Sequence, residues 1–324
     1  MVLPAADKTR RPFAEHEGEP LFEVQNMSLT FHQYHKGWQE MTSQVISDVE
    51  LAIHEGEVVA VVGASGSGKS LLADAILGLL PVNAEVSGRL SFAGEPLTDG
   101  QQERLRGRDI TLIPQSISAL DPLMKVGKQV QHMLKGKHKQ AEQEAIFQTM
   151  GLSRDAGKCY PFELSGGMAR RVLIAAALAS DASLMIADEP TPGLDEAALT
   201  DVTANIRKLA DVGKGVMFVT HDIMTALSVA DKIAVFYAGE TVEIANVQDF
   251  QGNGENVRHP YTRALWNALP QQTFTPIAGS QPLPDEKPAG CAFAPRCPLA
   301  SEICWQTSPP SKTQHGGMVR CFHA

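Results

Sequence analysis

The run Gly63-Ala64-Ser65-Gly66-Ser67-Gly68-Lys69-Ser70 has the residue types that hold phosphate, at the right spacing. It satisfies G-x-x-x-x-G-K-[ST] at every defined position. Its glycines let successive backbone N–H groups turn inward with no Cβ in the way, which makes an anion nest at a helix N-terminus. Lys69 is expected to reach the β- and γ-phosphates, and the Ser70 hydroxyl to ligate Mg²⁺. A second run, Leu164-Ser165-Gly166-Gly167-Met168, again offers N–H groups and a hydroxyl at the start of a helix. Leu184-Met185-Ile186-Ala187-Asp188-Glu189-Pro190 is an apolar strand ending in two carboxylates. Asp188 suits Mg²⁺ held through water, and Glu189 suits general-base work on an attacking water. Val219-Thr220-His221-Asp222 sets a histidine at another strand end, within reach of a γ-phosphate. Taken singly, the last three segments also fit a helix cap, a solvated turn and a structural histidine.

The elements that must position these groups are readable around them. Val58 to Val62 is an apolar strand feeding the loop, and Leu71, Leu72, Ala75, Ile76, Leu79 and Leu80 follow at helical spacing. Leu21 to Val24, Ser28 to Phe31 and Val45 to Ile53 predict an antiparallel sheet. Residues from about 116 to 180 read as mostly helical, with Ala145, Ile146 and Met150 at helical spacing. Leu184 to Ala187, Val216 to Val219 and Ile233 to Tyr237 read as buried strands. The last runs through Ala238-Gly239-Glu240 into Thr241 to Ile244 as a hairpin. Strands alternating with helices predict an α/β fold with a doubly wound, mainly parallel sheet. Residues 1–20 read as a polar arm, and from about residue 270 the chain turns Pro-rich and irregular.

The chain has 324 residues, 43% apolar and 20% charged, which suits a globular protein with a sizeable core. A formal net charge of −9 provides no basic field and argues against nucleic acid as a partner. Val172 to Ala187 is the nearest approach to a membrane span, and Asp181 interrupts it. Arg10-Arg11 is followed by Pro12 to Glu17, where a secretion signal needs an apolar stretch, so a cytoplasmic protein is expected. The basic stretch Lys135 to Lys139 reads as a solvated helix end or loop. Of five cysteines, Cys291, Cys297, Cys304 and Cys321 fall in the last 34 residues. In a reducing compartment that clustering suggests metal before disulfides. Four thiolates suit tetrahedral Zn²⁺ or a cubane cluster. The gaps of five, six and sixteen residues contain no C-x-x-C pair, which counts against zinc, and packed free thiols are the remaining option. Cys159 stands apart and reads as a core thiol.

The order and spacing of these segments resemble the nucleotide-binding subunit of ATP-binding cassette (ABC) transporters over about residues 21 to 250. The resemblance identifies Gly63 to Ser70 as the Walker A loop, Gln115 as the glutamine-loop residue and Leu164 to Met168 as the signature. It makes Asp188 the end of Walker B, Glu189 the catalytic glutamate, Thr191 to Asp195 the D-loop and His221 the switch histidine. It implies ATP bound by Gly63, Ala64, Ser65, Gly66, Ser67, Gly68, Lys69 and Ser70, with Phe31 stacked on adenine (Tyr34 being the second candidate). It further implies Ser165, Gly166, Gly167 and Asp195 at the nucleotide, Mg²⁺ near Ser70, Gln115 and Asp188, and catalysis by Glu189, His221 and Gln115. Met168, Leu71 and Pro192-Gly193 depart from the usual pattern without removing a catalytic group. The implied fold is a P-loop ABC domain: mainly parallel sheet, antiparallel β-subdomain and helical subdomain at about 116–180, with a small irregular C-terminal cysteine lobe. His259-Pro260-Tyr261-Thr262-Arg263-Ala264-Leu265 and Gly290 to Pro298 look like the terminal extension, here residues 251–324, of the peptide and nickel importer group. In similar proteins that extension can hold a [4Fe–4S] cluster, implied here on the four cysteines. The implied role is the ATP-hydrolysing subunit of a bacterial importer for di- or oligopeptides. Import of nickel or a metal chelate, or a soluble non-transport ABC ATPase, are the alternatives. The implied partners are a similar second ATPase subunit in a heterodimer, two membrane permease subunits and an extracytoplasmic solute-binding protein. That places the chain peripherally on the cytoplasmic face of the inner membrane.

Overall fold

The computed structural model describes residues 18–35, 39–314 and 316–324. The polar arm expected over residues 1–20 lies outside the described residues up to residue 17. In chain order the elements are β1 (Phe22–His35), β2 (Gln39–Ile53), β3 (Val58–Gly63), α1 (Lys69–Leu77), β4 (Ala84–Phe92), β5 (Glu95–Pro96), α2 (Asp99–Leu105) and β6 (Ile110–Ile113). Then come α3 (Val126–Met133), α4 (Lys139–Thr149), α5 (Gly166–Ala179), β7 (Leu184–Asp188), α6 (Glu196–Asp211), β8 (Gly215–Thr220), α7 (Ile223–Val229), β9 (Lys232–Tyr237) and β10 (Glu240–Asn246). The C-terminal part carries α8 (Pro260–Asn267), α9 (Glu302–Gln306), β11 (Lys312–Gln314) and β12 (Gly317–Val319).

Two sheets form. One is antiparallel, in the order β2-β1-β4-β5. The other runs β11-β12-β10-β9-β3-β8-β7-β6, and its strands from β9 to β6 are parallel. Strand side chains alternate between faces, and that alternation divides the core. Val58, Ala60 and Val62 of β3 join Phe218, Val235, Val172 and Ile206 in one cluster, under α5, α6 and α7. Val59 and Val61 join Ile186, Val219, Leu72, Ile76 and the inward side chains of the antiparallel sheet in the other. The helix after the phosphate loop and the helix after Ser165 therefore pack on opposite faces of the parallel sheet.

The expected strands at 184–187, 216–219 and 233–237 all form, as does the hairpin into β10. The stretch from 116 to 180 is less regular than expected. It holds α3, α4 and α5, with a 3₁₀ turn at Ile117–Ala119 ahead of α3 and two more, Arg154–Lys158 and Pro161–Glu163, between α4 and α5. The C-terminal part departs from the irregular expectation in the short helix α9 and in a hairpin. β12 pairs with β10 (Glu243 opposite Val319, Ile244 opposite Met318), so the hairpin β11–β12 covers what would otherwise be an open sheet edge. Among the described residues no helix is long and apolar enough to cross a membrane.

Candidate active site

The chemistry-bearing residues lie at the C-terminal ends of the parallel strands β3, β6, β7 and β8. The loop after β3 is tightly built. Gly63 sits so close to β9 that a Cβ would lie 2.4 Å from the carbonyl oxygen of Phe236. Gly68, the N-cap of α1, has φ +99°, a conformation that side chains rarely adopt. Lys69 is buried with its ammonium on the carbonyls of Gly63 and Ala64, each at 2.9 Å, and on Ser67 Oγ at 3.5 Å. Burial pushes its pKa down, against the pull of the Glu189 and Asp188 carboxylates.

Ser70 Oγ donates to Asp188 Oδ1 at 3.2 Å across 118 residues of sequence. Burial pushes the Asp188 carboxyl up, as do the neighbouring Glu189 and Asp74 carboxylates; the Ser70 hydroxyl and Lys69 oppose the shift. Hard oxygen donors with carboxylates crowded behind them fit a small divalent cation such as Mg²⁺. Beside them Glu189 has φ +42°, left-handed for a residue with a side chain, and its N–H donates to the Val219 carbonyl at 3.0 Å. One carboxylate oxygen lies 3.3 Å from His221 Nδ1, and the other accepts from Gln115 Nε2 at 3.3 Å. Glu189, His221 and Gln115 thus come from three strand ends to one point. Among the described residues the Gln115 amide makes no hydrogen bond to Ser70 or Asp188.

The remaining expected nucleotide residues do not join this group. Ser165 Oγ accepts from Met168 N–H at 3.3 Å as the N-cap of α5, and a Cβ on Gly166 or Gly167 would meet nothing within 4 Å. Asp195 caps α6, accepting from Ala198 N–H at 2.8 Å. Phe31 is half-buried on β1, opposite Ser43 and Ala84. The side chain of Tyr34 lies outside the described residues. Lys135 faces solvent, paired with Asp181 at 3.1 Å, as its solvated reading implied.

Sequence reasoning missed Arg170. Its guanidinium donates to the carbonyls of Gln115 and Pro192, each at 3.0 Å, and of Glu189 at 3.4 Å. The available signal was an arginine pair, Arg170-Arg171, in an otherwise apolar helix.

The cysteine lobe overturns an expectation. Cys291, Cys297, Cys304 and Cys321 do line one cavity, together with His259, Phe293 and His323. Yet among the described residues no group of three or more His, Cys, Asp or Glu side chains is placed to hold a metal ion. The [4Fe–4S] cluster, and the zinc alternative to it, are therefore corrected to free thiols. Burial pushes Cys297 and Cys321 up and Cys291 to about 11, which favours the neutral thiol over a thiolate ligand. Cys304 Sγ has hydrogen-bonding neighbours instead, His323 Nε2 at 3.5 Å and Ser301 Oγ at 3.6 Å. The lobe is held by packing. Phe293 stands edge-on to Tyr237 at 5.2 Å and tilted on Tyr261 at 5.3 Å. Beneath it, the fully buried Glu243 of β10 accepts from Arg258 N–H and Nε and from His259 N–H, each at 2.9 Å. Cys159 is half-buried beside the Asp155 carbonyl rather than in the core, because the 3₁₀ turn ahead of it leaves it at the surface.

Comparison with known proteins gives the family and the fold. The family model for ABC transporters matches residues 46–192, and that for the C-terminal region of oligopeptide/dipeptide transporters matches residues 242–304. The chain is 32% identical to the oligopeptide transport ATP-binding protein OppD of Escherichia coli (strain K12), over 96% of this chain and 95% of that protein. It is 35% identical to the oligopeptide transport ATP-binding protein AppD of Bacillus subtilis (strain 168), over 93% and 96%. Among solved structures, a dimeric ATP-binding cassette in a post-hydrolysis state bound to ADP and Pi superposes with a TM-score of 0.61. It is 26% identical and covers 71% of this chain and 99% of its own.

Proposed function

The chain belongs to the oligopeptide and dipeptide transporter group of ABC ATP-binding subunits, and on that premise we propose that its ATP hydrolysis drives uptake of peptides across a membrane. The observation that carries the reading is the meeting of Ser70, Asp188, Glu189, Gln115 and His221 at the strand ends, beside a phosphate-binding loop.

In this reading the loop amides and Lys69 hold the β- and γ-phosphates, and the ammonium exchanges its loop carbonyls for phosphate oxygens. Ser70 and Asp188 would hold Mg²⁺, which supplies charge neutralisation on the phosphates when bound. Glu189 accepts the proton of the attacking water. His221 and Gln115 fix the two oxygens of that carboxylate, so its orientation is set before water arrives. Little covalent chemistry is asked of the protein, since phosphoryl transfer is governed by positioning and charge.

Ser165, Gly166 and Gly167 complete a site on a second cassette. α1 and α5 lie on opposite faces of one sheet, so a single chain does not close both loops on the same phosphate. Two such chains, similar or identical, joined to two membrane permease subunits and served by an extracytoplasmic solute-binding protein, complete the proposed importer at the cytoplasmic face of the membrane. The test is peptide uptake into cells or vesicles carrying the whole complex. Uptake of a labelled di- or oligopeptide should require ATP and stop in the Glu189→Gln variant. ATP-dependent uptake of a nickel chelate with no peptide uptake would move the cargo to the alternative, and turnover with no membrane partner would remove the transport role.

A further inference from the structure

Arg170 and Arg171 are adjacent on α5 and do different things. Arg171 makes an ordinary ion pair across to α6, 3.3 Å from Asp201 Oδ2. Arg170 makes no ion pair among the described residues. Its half-buried guanidinium donates instead to three main-chain carbonyls that lie 55, 19 and 22 residues away, at Gln115, Glu189 and Pro192. Each belongs to a different working segment: the loop after β6, the end of β7 and the turn into α6. Two of the three residues bear the side chains that meet at the site, and Glu189 is in a left-handed conformation. Such backbone persists only where the surroundings over-determine it. The Glu189 amide is held by Val219, its carboxylate by Gln115 and His221, and its carbonyl by Arg170. A planar fork of donors can reach three carbonyls at once, which a lysine ammonium on a flexible stem does poorly.

We propose that Arg170 is a positioning residue that ties the Glu189 backbone, the Gln115 loop and the Pro192 turn to the signature helix. It rests on the reading of Glu189 as the water-activating group. Because Ser165, the N-cap of α5, faces the second cassette in that reading, a shift of α5 on dimer closure moves all three carbonyls together. Arg170 acts through Glu189 and does not touch ATP.

The test is a double-mutant cycle in the assembled transporter, with ATP turnover and nucleotide affinity measured for Arg170→Ala, Glu189→Gln and the pair. Arg170→Ala should lower kcat by about 10- to 100-fold, the usual consequence of misplacing a reacting group by about an ångström. ATP affinity should stay within about 2-fold of wild type, and in the Glu189→Gln background the same change should remove less than about 2-fold further, since coupled residues are not additive. Arg170→Lys and Arg170→Gln, which keep some donors and do not need the cavity refilled, should fall between wild type and Ala. An unchanged kcat, an equal loss in both backgrounds, or affinity falling in step with kcat would overturn the proposal. Failure of the underlying reading shows separately, as near-normal turnover in Glu189→Gln alone.

Discussion

The strand-end site and the cysteine lobe both gather reactive side chains from distant sequence positions into one place, and they differ in the charges that surround those side chains. At the strand ends an ammonium, two carboxylates, an imidazole and an amide face one another, and Glu189 touches partners on two sides. In the lobe four sulfurs line a cavity with Phe293 and His259, and burial pushes the Cys291, Cys297 and Cys321 thiols towards their neutral form. Convergence alone does not make a site. The surroundings must also oppose the cost of burial, as the Glu189 and Asp188 carboxylates do for Lys69, whereas the charged neighbours of Cys291 push its pKa further up.

The comparison breaks most easily at Glu189. Replacing it with Gln should leave ATP binding in place and lower turnover by roughly 10²–10⁴-fold, the range for a lost general base. Turnover near wild type would put the water-activating group elsewhere. On the lobe side the largest effect should come from the buried ion pair. Arg258→Ala leaves the fully buried Glu243 without its Nε donor, a change that typically costs about 3–5 kcal/mol. Urea unfolding measures it, and a loss below about 1 kcal/mol would show that the carboxylate finds other partners. Lys69→Ala should weaken ATP binding by about 10- to 150-fold, the worth of a hydrogen bond from a charged donor. Calorimetric titration reads that directly, and an unchanged affinity would remove the lysine from the phosphate site.

Acid should separate the two regions further. His259 is fully buried and burial pulls its pKa to about 3, below its ordinary 6.5. Between those values the unfolded chain binds a proton that the folded chain refuses, so stability falls as pH drops from about 6.5 to about 3. The slope approaches tenfold in the folding equilibrium per pH unit. His259→Gln should flatten that part of the stability profile; an unchanged profile would mean another group sets it. The smallest effect belongs to the sulfurs. Cys291→Ala should cost about 1 kcal/mol, the scale of one lost methylene-sized group and its cavity. Turnover should not change, and a collapse of the fold would show that the lobe depends on its thiols after all.

The site was legible where local spacing carries the chemistry. Gly63 to Ser70 needs only its own backbone and the strand before it, and the Asp188-Glu189 pair needs only the end of β7. Arg170 was not legible, because its three carbonyl partners are main-chain atoms and main-chain atoms have no residue type. The cysteine lobe misled for a related reason. Spacing reports which sulfurs could meet, while burial decides whether a thiol ionises, and the cavity around them is closed in part by His259 and Pro260 from outside the cysteine segment. Most of the parallel sheet was readable from apolar runs of four to six residues, since burial on both faces leaves an unbroken pattern. The hairpin β11–β12 was not. Three-residue strands carry no period, and their place is set by the open edge of β10.

Glu243 also bears on whether this chain can be taken apart. It sits on β10, ahead of residue 250, and its three donors come from Arg258 and His259, beyond it. A cut between the two would strip the carboxylate of every one of those bonds and bare the outer edge of the sheet. The last 74 residues therefore cannot be treated as a cap to be removed or exchanged, and a swap with a relative's extension must carry β10 along with it.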